Sequence, residues 1–329
     1  MTNEKVDYSI VIPVFNEEEV IEHTYERLKT VMESAEGKYE LLFINDGSRD
    51  RSVEILLNLS ERDKRIKIVD FSRNFGHQIA ITAGMDYALG DAIVIIDADL
   101  QDPPELILEM IQKWREGYDV VYAKRTARKG ETFFKKQTAS AFYRILRAMT
   151  EIEIPIDTGD FRLIDRKVCN QMKNIHEKNR FVRGLVSWVG FKQTAVEYER
   201  DERFAGETKY PLKRMLKLSL DGITSFSYKP LKLANYLGAS LSVIGFVYML
   251  IVLYQKLFTT TTVTGWSSII VIQLFFSGIT LMMLGVIGEY IGRIYDEAKD
   301  RPLYIVRDIY QHESASASAS ASAKTYVMK

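Results

Sequence analysis

Residues 233–254 and 257–288 contain no Asp, Glu, Lys or Arg, although charged residues are frequent everywhere before Lys232. An uncharged run of about 20 residues is long enough to cross roughly 30 Å of hydrocarbon. Two membrane helices are therefore expected, over about 233–254 and 266–288. The second opens at Trp266, where an interfacial aromatic belongs, and "LFTTTTVTG" joins them. With two crossings both flanks lie on one side. Those flanks carry Lys213, Arg214, Lys217, Lys229, Lys232, Arg293, Lys299 and Arg301 against Lys256 near the turn, and positive-inside bias places them in the cytoplasm. The competing reading, a buried helical pair in a soluble protein, runs against two adjacent uncharged runs of this length. Gly238, Ser242 and Gly245, with Gly278 and Gly285, have the small-residue spacing that permits close helix contact, within the pair or in an oligomer.

Charge elsewhere excludes more than it suggests. Lys plus Arg and Asp plus Glu are both 44, so net charge points to no nucleic-acid partner. Cys169 is the only cysteine and His23, His77, His176 and His312 are scattered. Neither a disulfide framework nor a Cys/His zinc site is expected, and a reducing compartment fits. The start, "MTNEKVDYSI", has no basic region leading into an apolar core, which argues against a secretory signal.

The first two hundred residues alternate short apolar runs with amphipathic segments. "YSIVIPV", "YELLFIND", "IKIVDFS", "AIVIIDAD" and "DVVYAKR" read as strands, and residues 17–32 and 105–114 as helices. This is the βαβ rhythm of a parallel sheet, in which ligands bind beyond the carboxyl ends of the strands. Here those ends carry "PVFNEEE", "NDGSRD", "SRNFGHQ" and "DADLQD", so polar residues converge on one edge. No GxGxxG follows the first strand and no GxxxxGK[ST] occurs; the usual glycine cradles for phosphate are missing.

Asp97 and Asp99 stand one residue apart at the end of an Ile/Val run. Two such carboxylates repel unless a cation or donor network lies between them. With Gln101 they offer hard oxygen ligands suited to Mg²⁺ or Mn²⁺ that bridges substrate phosphates. Aspartyl-phosphate chemistry is a rival for an Asp pair after a strand, but that pattern belongs to a first strand, and Gln101 stands where a Thr or Val is needed.

Six ordered segments, "VIPVFNEEE", "NDGSRD", "SRNFGHQIAITAG", "DADLQDPPE", "DTGDFRLID" and "ERFAGETKY", resemble the family 2 glycosyltransferases that load sugars onto polyprenyl phosphates. Bactoprenol glucosyltransferases look nearest, with dolichyl-phosphate mannose synthases as relatives, and the likeness covers about residues 7–300. It implies an α/β GT-A fold, with a Rossmann-like, mostly parallel sheet and a C-terminal two-helix transmembrane hairpin. It also implies a nucleotide-sugar donor, a divalent cation and inversion at the anomeric carbon. Carried onto this chain, Pro13, Phe15, Asn16 and Glu17 line the base and ribose pocket. Asp46, Gly47 and Ser48 contact the nucleoside, as do Asp97 and Ala98. Asp99 and Gln101, with Asp97, take the metal. Glu17 and Asp46 suit ribose hydroxyls or a uracil N–H, although either could serve a helix N-cap instead.

By the same likeness Lys124, Arg125, Lys136 and Ser140 are expected to bind phosphate, with Lys124 and Lys135 departing from the family's Ser-Arg and Arg-Arg. Arg200, Arg203 and Lys209 match a basic loop that closes over donor and acceptor phosphates. Asp157 is expected to be the catalytic carboxylate near the anomeric carbon. Asp157 and Asp160 each also suit a turn beside Gly159. A lipid phosphate is already anionic near neutral pH, so Asp157 has an orienting or charge-stabilising role as readily as a basic one.

The expected organisation is a cytoplasmic catalytic domain over 1–210 and an amphipathic interfacial helix over 211–230. The two crossings fall within 231–292. A cytoplasmic tail follows over 293–313, then a low-complexity Ser-Ala tail over 314–329 that cannot bury a core. The expected enzyme sits in the cell membrane, works as a homo-oligomer, and transfers a sugar from a nucleotide sugar to a polyprenyl phosphate. UDP-glucose and undecaprenyl phosphate are favoured over GDP-mannose. A processive synthase would need a Q-x-x-R-W motif that this chain lacks. A membrane-tethered nucleotide-sugar-binding scaffold without turnover is the alternative of a different class.

Overall fold

A computed structural model describes residues 5–127, 155, 158–199, 229–258 and 265–311. The first four strands come where the apolar runs predict them: β1 (Tyr8–Val14), β2 (Tyr39–Asn45), β3 (Ile66–Phe71) and β4 (Ala92–Ile95). Between them lie helices α1 (Ile21–Glu33), α2 (Ser52–Arg62) and α3 (His77–Tyr87). All seven residues of β1 and of β2 are buried, because helices cover both faces of a parallel sheet. Helix α4 (Leu106–Arg115) leads to β5 (Val120–Ala127).

Then come β6 (Thr158–Asp165), α5 (Arg166–Lys173), α6 (Val182–Trp188) and β7 (Gln193–Glu199). Two long helices, α7 (Lys229–Phe258) and α8 (Trp266–Ala298), precede a last strand, β8 (Val306–Gln311). The eight strands form one sheet in the order β7-β5-β6-β4-β1-β2-β3-β8. The central block β4-β1-β2-β3 is parallel, as expected. Strand β6 enters antiparallel between β4 and β5, and β8 closes the other edge antiparallel to β3, so the sheet is mixed.

Alternate residues of each strand feed two separate cores, which is the period-two rule at work. Ile10, Ile12, Leu41, Phe43 and Val94 pack against α1, α2 and α4. Val11, Leu42, Ile44 and Ile93 pack against α3, α5 and α6. Helix α3 lies especially close to the sheet: a Cβ at Gly84 would stand 2.0 Å from Val11 Cγ1.

Among the described residues one stretch, Phe275–Ala298 in α8, is long and apolar enough to cross a membrane, and none of it is buried within the protein. Helix α7 carries a shorter apolar run, Gly238–Tyr248, and Gly238 packs near Met283 of α8. Beyond α8 the chain returns to the sheet. Tyr304 stacks on Phe71 at 5.1 Å between ring centroids and donates to Asp86 Oδ2 at 2.9 Å. Residues 306–311, expected within a tail, thus complete the sheet.

Candidate active site

The loops beyond β1 and β2 are stitched together at the carboxyl edge of the sheet. Asn16 N–H donates to Ser48 Oγ at 3.0 Å, and Asn16 Oδ1 accepts from Arg49 N–H at 2.8 Å. Glu17 N–H donates to Ser52 Oγ, Glu18 N–H donates to Asp50 Oδ2, and Glu18 Oε2 accepts from Arg51 N–H. Asn16 holds a left-handed φ of 54°, which Asn tolerates better than most residues. Pro13 lies within β1, while Phe15 is 37 % exposed at its end. The loop after β1, expected to hold the nucleoside, is thus tied by hydrogen bonds to the loop after β2, with Phe15 at its rim.

Asp46 is buried and gathers the next loop. Its carboxylate accepts from Phe75 N–H (2.6 Å), Gly76 N–H (2.9 Å) and Asn74 Nδ2 (2.9 Å). Burial raises its pKa and these backbone donors oppose the rise. Gly47, at φ +66°, lets the two loops touch: a Cβ there would stand 2.4 Å from the Arg73 carbonyl carbon. Asp46 is thus the anchor of the 74–76 loop, a role the sequence motif does not disclose.

The acid segment follows β4. Ala98 is buried and its carbonyl accepts from Thr24 Oγ1 of α1 at 2.7 Å, which pins the turn from the core side. Asp99 Oδ1 accepts from Gln101 N–H at 3.2 Å. Between them Leu100 is 8 % exposed with φ +58°, a conformation that costs a non-glycine residue on the order of 1–3 kcal/mol. The strained turn sits between Asp99 and Gln101, two of the three residues expected to take the metal.

Register explains what meets Asp97. In the antiparallel β4–β6 ladder Ile95 faces Arg162, which brings Asp97, just past the end of β4, toward Asp160 near the start of β6. His77, the first residue of α3, lies between them: its Nε2 is 3.4 Å from Asp97 Oδ1 and 3.2 Å from Asp160 Oδ2. Asp160 also accepts from Gln78 Nε2 (3.1 Å) and from Arg183 Nε (2.8 Å) and Nη2 (3.1 Å).

The electrostatics follow from this geometry. Burial pushes the Asp160 carboxyl up, but Arg183 and His77 outweigh it and hold it well below the usual carboxylate range. Burial pushes Asp97 up to about 6, with Asp160, Asp99 and Asp102 adding repulsion against the pull of His77. Burial would lower the His77 imidazole, yet Asp97 and Asp160 lift it to about 9. The two carboxylates that face His77 thus favour its protonated form.

Asp97 Oδ1 is buried and accepts no hydrogen bond. Among the described residues no three His, Cys, Asp or Glu side chains converge as a ready cage for a metal. Asp97, Asp99 and Gln101 carry oxygen donors of the kind a hard divalent ion takes alongside phosphate and water.

The two described phosphate candidates are held by the neighbouring strands. Lys124 Nζ lies 2.8 Å from Glu197 Oε1 across the β5–β7 ladder. Arg125 Nε donates to Tyr198 Oη at 3.0 Å, and its Nη2 lies 3.6 Å from Asp102 Oδ1. Tyr198 in turn donates to Asp102. Lys136, Ser140, Asp157, Arg200, Arg203 and Lys209 lie outside the described residues, as do nearly all of the interfacial helix expected over 211–230 and the Ser-Ala tail. His77, Gln78 and Arg183 were not among the expected site residues. "FGHQ" at a strand-to-helix junction was the signal for the first two; Arg183 had none.

A mixed sheet with helices on both faces and an Asp-x-Asp turn beyond its fourth strand is a GT-A-like architecture. The Glycosyl transferase family 2 model matches residues 9–172. The Bacillus subtilis protein named Uncharacterized glycosyltransferase YkcC is 75% identical over 309 residues, 94% of this chain and 96% of that one. An Escherichia coli prophage bactoprenol glucosyl transferase homolog is 42% identical over 301 residues, 92% of this chain and 98% of that one. Among solved structures, glucosyl-3-phosphoglycerate synthase from Mycobacterium tuberculosis matches at 18% identity and a TM-score of 0.44, covering 67% of this chain and 78% of that one. The chain belongs to glycosyltransferase family 2.

Proposed function

We propose that the protein transfers glucose from UDP-glucose to undecaprenyl phosphate at the cytoplasmic face of the cell membrane. The observation that carries this reading is the 42% identity to bactoprenol glucosyl transferases along almost the whole of both chains, C-terminal helices included. In the reaction a phosphate oxygen of the lipid forms a bond to the sugar C1 from the side opposite the leaving group. The bond from C1 to the diphosphate breaks, UDP departs with the electron pair, and the configuration inverts.

The chain's own residues divide the work. The stitched loops carrying Phe15, Asn16, Glu17 and Ser48 present the nucleoside surface. The strained turn at Leu100 would present Asp99 and Gln101, with Asp97 beside His77, to a divalent cation, Mg²⁺ or Mn²⁺. When bound, that cation offsets charge developing on the departing diphosphate. Asp157 is assigned the acceptor side, orienting the lipid phosphate or stabilising positive character at C1. Lys136, Ser140, Arg200, Arg203 and Lys209, with Lys124 and Arg125, are assigned to the phosphates.

Helices α7 and α8 are read as a transmembrane hairpin, with the catalytic domain and both chain ends cytoplasmic. The apolar stretch of α8, the uncharged run of α7 and the basic flanks support this. The hairpin brings the strand-end acids within reach of a phosphate at the headgroup layer. The test is incubation of purified protein in liposomes containing undecaprenyl phosphate with a panel of radiolabelled nucleotide sugars. A lipid-soluble product from UDP-glucose and not from GDP-mannose is expected. UDP-glucose binding without lipid-soluble product from any donor would refute transfer and favour a scaffold.

A further inference from the structure

The segment between α5 and α6 touches the end of α8 at one of its ends and the acid cluster at the other. At Lys178 the backbone N–H donates to Glu297 Oε1 at 2.7 Å, and Nζ reaches Asp300 Oδ1 at 3.1 Å and the Arg301 carbonyl at 2.7 Å. Two residues on, Arg180 is buried and donates to Thr82 Oγ1 of α3 and to the Met172 and Ile175 carbonyls. Val182 N–H donates to Gln78 Oε1 at 2.9 Å, while the Nε2 of that same amide donates to Asp160. Arg183 then closes on Asp160 and on the Thr158 carbonyl.

We infer that residues 178–183 form a strap through which the docked end of α8 positions Asp160 and Gln78, and that Lys178 and Glu297 are positioning residues for sugar transfer. The reasoning is geometric. Three residues separate the Lys178 and Val182 contacts, and the middle one, Arg180, is held by its buried guanidinium on Thr82 and on the Met172 and Ile175 carbonyls. Losing the Glu297 contact removes the backbone tie and leaves that end on the Lys178 Nζ contacts alone, while the other end orients Gln78 and through it Asp160. The membrane helix and the acid cluster thereby share one set of hydrogen bonds. The catalytic side of the inference rests on the proposed transfer reaction; the hydrogen-bond side does not.

Two measurements on the full-length protein in liposomes test it. Glu297 is exposed, so its replacement should leave the fold intact, to be checked by an unchanged thermal midpoint. Glu297→Ala should raise the hydrogen-exchange rate of the Val182 amide roughly 3- to 30-fold, the range of coupling carried by residues linking two sites. Glu297→Gln, which keeps an oxygen for Lys178 N–H, should leave it within about twofold. Unchanged Val182 exchange in Glu297→Ala and in Lys178→Ala overturns the strap, whether or not any sugar is transferred.

In the second arm, Glu297→Ala should lower kcat by a similar factor with donor KM unaltered, and Glu297→Gln should restore it. Combined with Gln78→Ala, Glu297→Ala should cause little further loss, because both act through one path. Multiplicative losses, or loss of donor affinity alone, would overturn the positioning role. If the wild type transfers no sugar, the proposed function fails while the exchange arm still decides the strap.

Discussion

Replacing Asp160 by Asn removes one charge beneath the acid segment while preserving side-chain shape. The carboxylate is 5 % exposed and takes four donors, two from Arg183 and one each from Gln78 and His77. Asn would keep one acceptor oxygen and turn an NH₂ toward cationic donors. Breaking a buried pair by neutralising one partner costs about 3–5 kcal/mol, because the other charge stays behind. Arg183 and His77 retain 26 % and 33 % side-chain exposure, so partial rehydration places the expected cost near the lower end, at about 3 kcal/mol. For a domain of this size that corresponds to a fall in melting temperature of roughly 6–12 °C.

The control is Glu105→Gln. Its pair with Arg27 has the same 2.8 Å separation, but the side chains are 55 % and 36 % exposed, and such a pair is worth at most about 1 kcal/mol. The assay is thermal unfolding in detergent, followed by circular dichroism, across pH. Asp160 has a depressed pKa, so its contribution is present above the unfolded carboxyl value, about 3.9, and is lost as pH falls through the folded one. His77 has a raised pKa of about 9, so its contribution is complete below its unfolded value, about 6.5, and is lost as pH rises through the folded one. The gap between wild type and Asp160→Asn should therefore be widest between about pH 4 and 6.5 and narrow toward pH 9. A shift no larger than that of Glu105→Gln at pH 6 would refute the buried-network account.

Three further outcomes are expected. Asp99→Asn should lower the transfer rate on the order of 10²-fold or more, and excess EDTA should abolish turnover; full activity in EDTA would remove the cation from the reaction. Asp157→Asn should lower kcat at nearly unchanged UDP affinity measured by calorimetry; loss of UDP binding would move Asp157 to the donor site. Gly47→Ala should destabilise by at least about 2 kcal/mol, combining left-handed backbone cost with the clash at Arg73 and Asn74, read as a lower denaturant midpoint with unchanged slope.

What could be read along the chain is what depends on near neighbours. Short apolar runs separated by amphipathic segments located β1 to β5 and helices such as α1 and α4. The position of "NDGSRD" and "DADLQD" just past such runs was enough to place Asp46, Asp97 and Asp99 at one sheet edge, because parallel strands share a carboxyl edge. The uncharged runs likewise declared two long helices before any contact was known. Strand order and register cannot be read in this way. "TGDFRLID" carries Gly and two Asp, the residues of turns, yet it forms a buried strand because β4 and β5 supply its ladders on both sides. That placement sets Asp160 against Asp97 and gives His77 its two carboxylates. "VRDIYQ" has little strand pattern of its own and is held by the open edge of β3 and the stacking of Tyr304 on Phe71. Local propensity was legible because it is written in adjacent side chains. The charge network at the site had to wait for the fold, since its members stand up to 106 positions apart, from His77 to Arg183, and meet only when antiparallel pairing fixes which residues face each other.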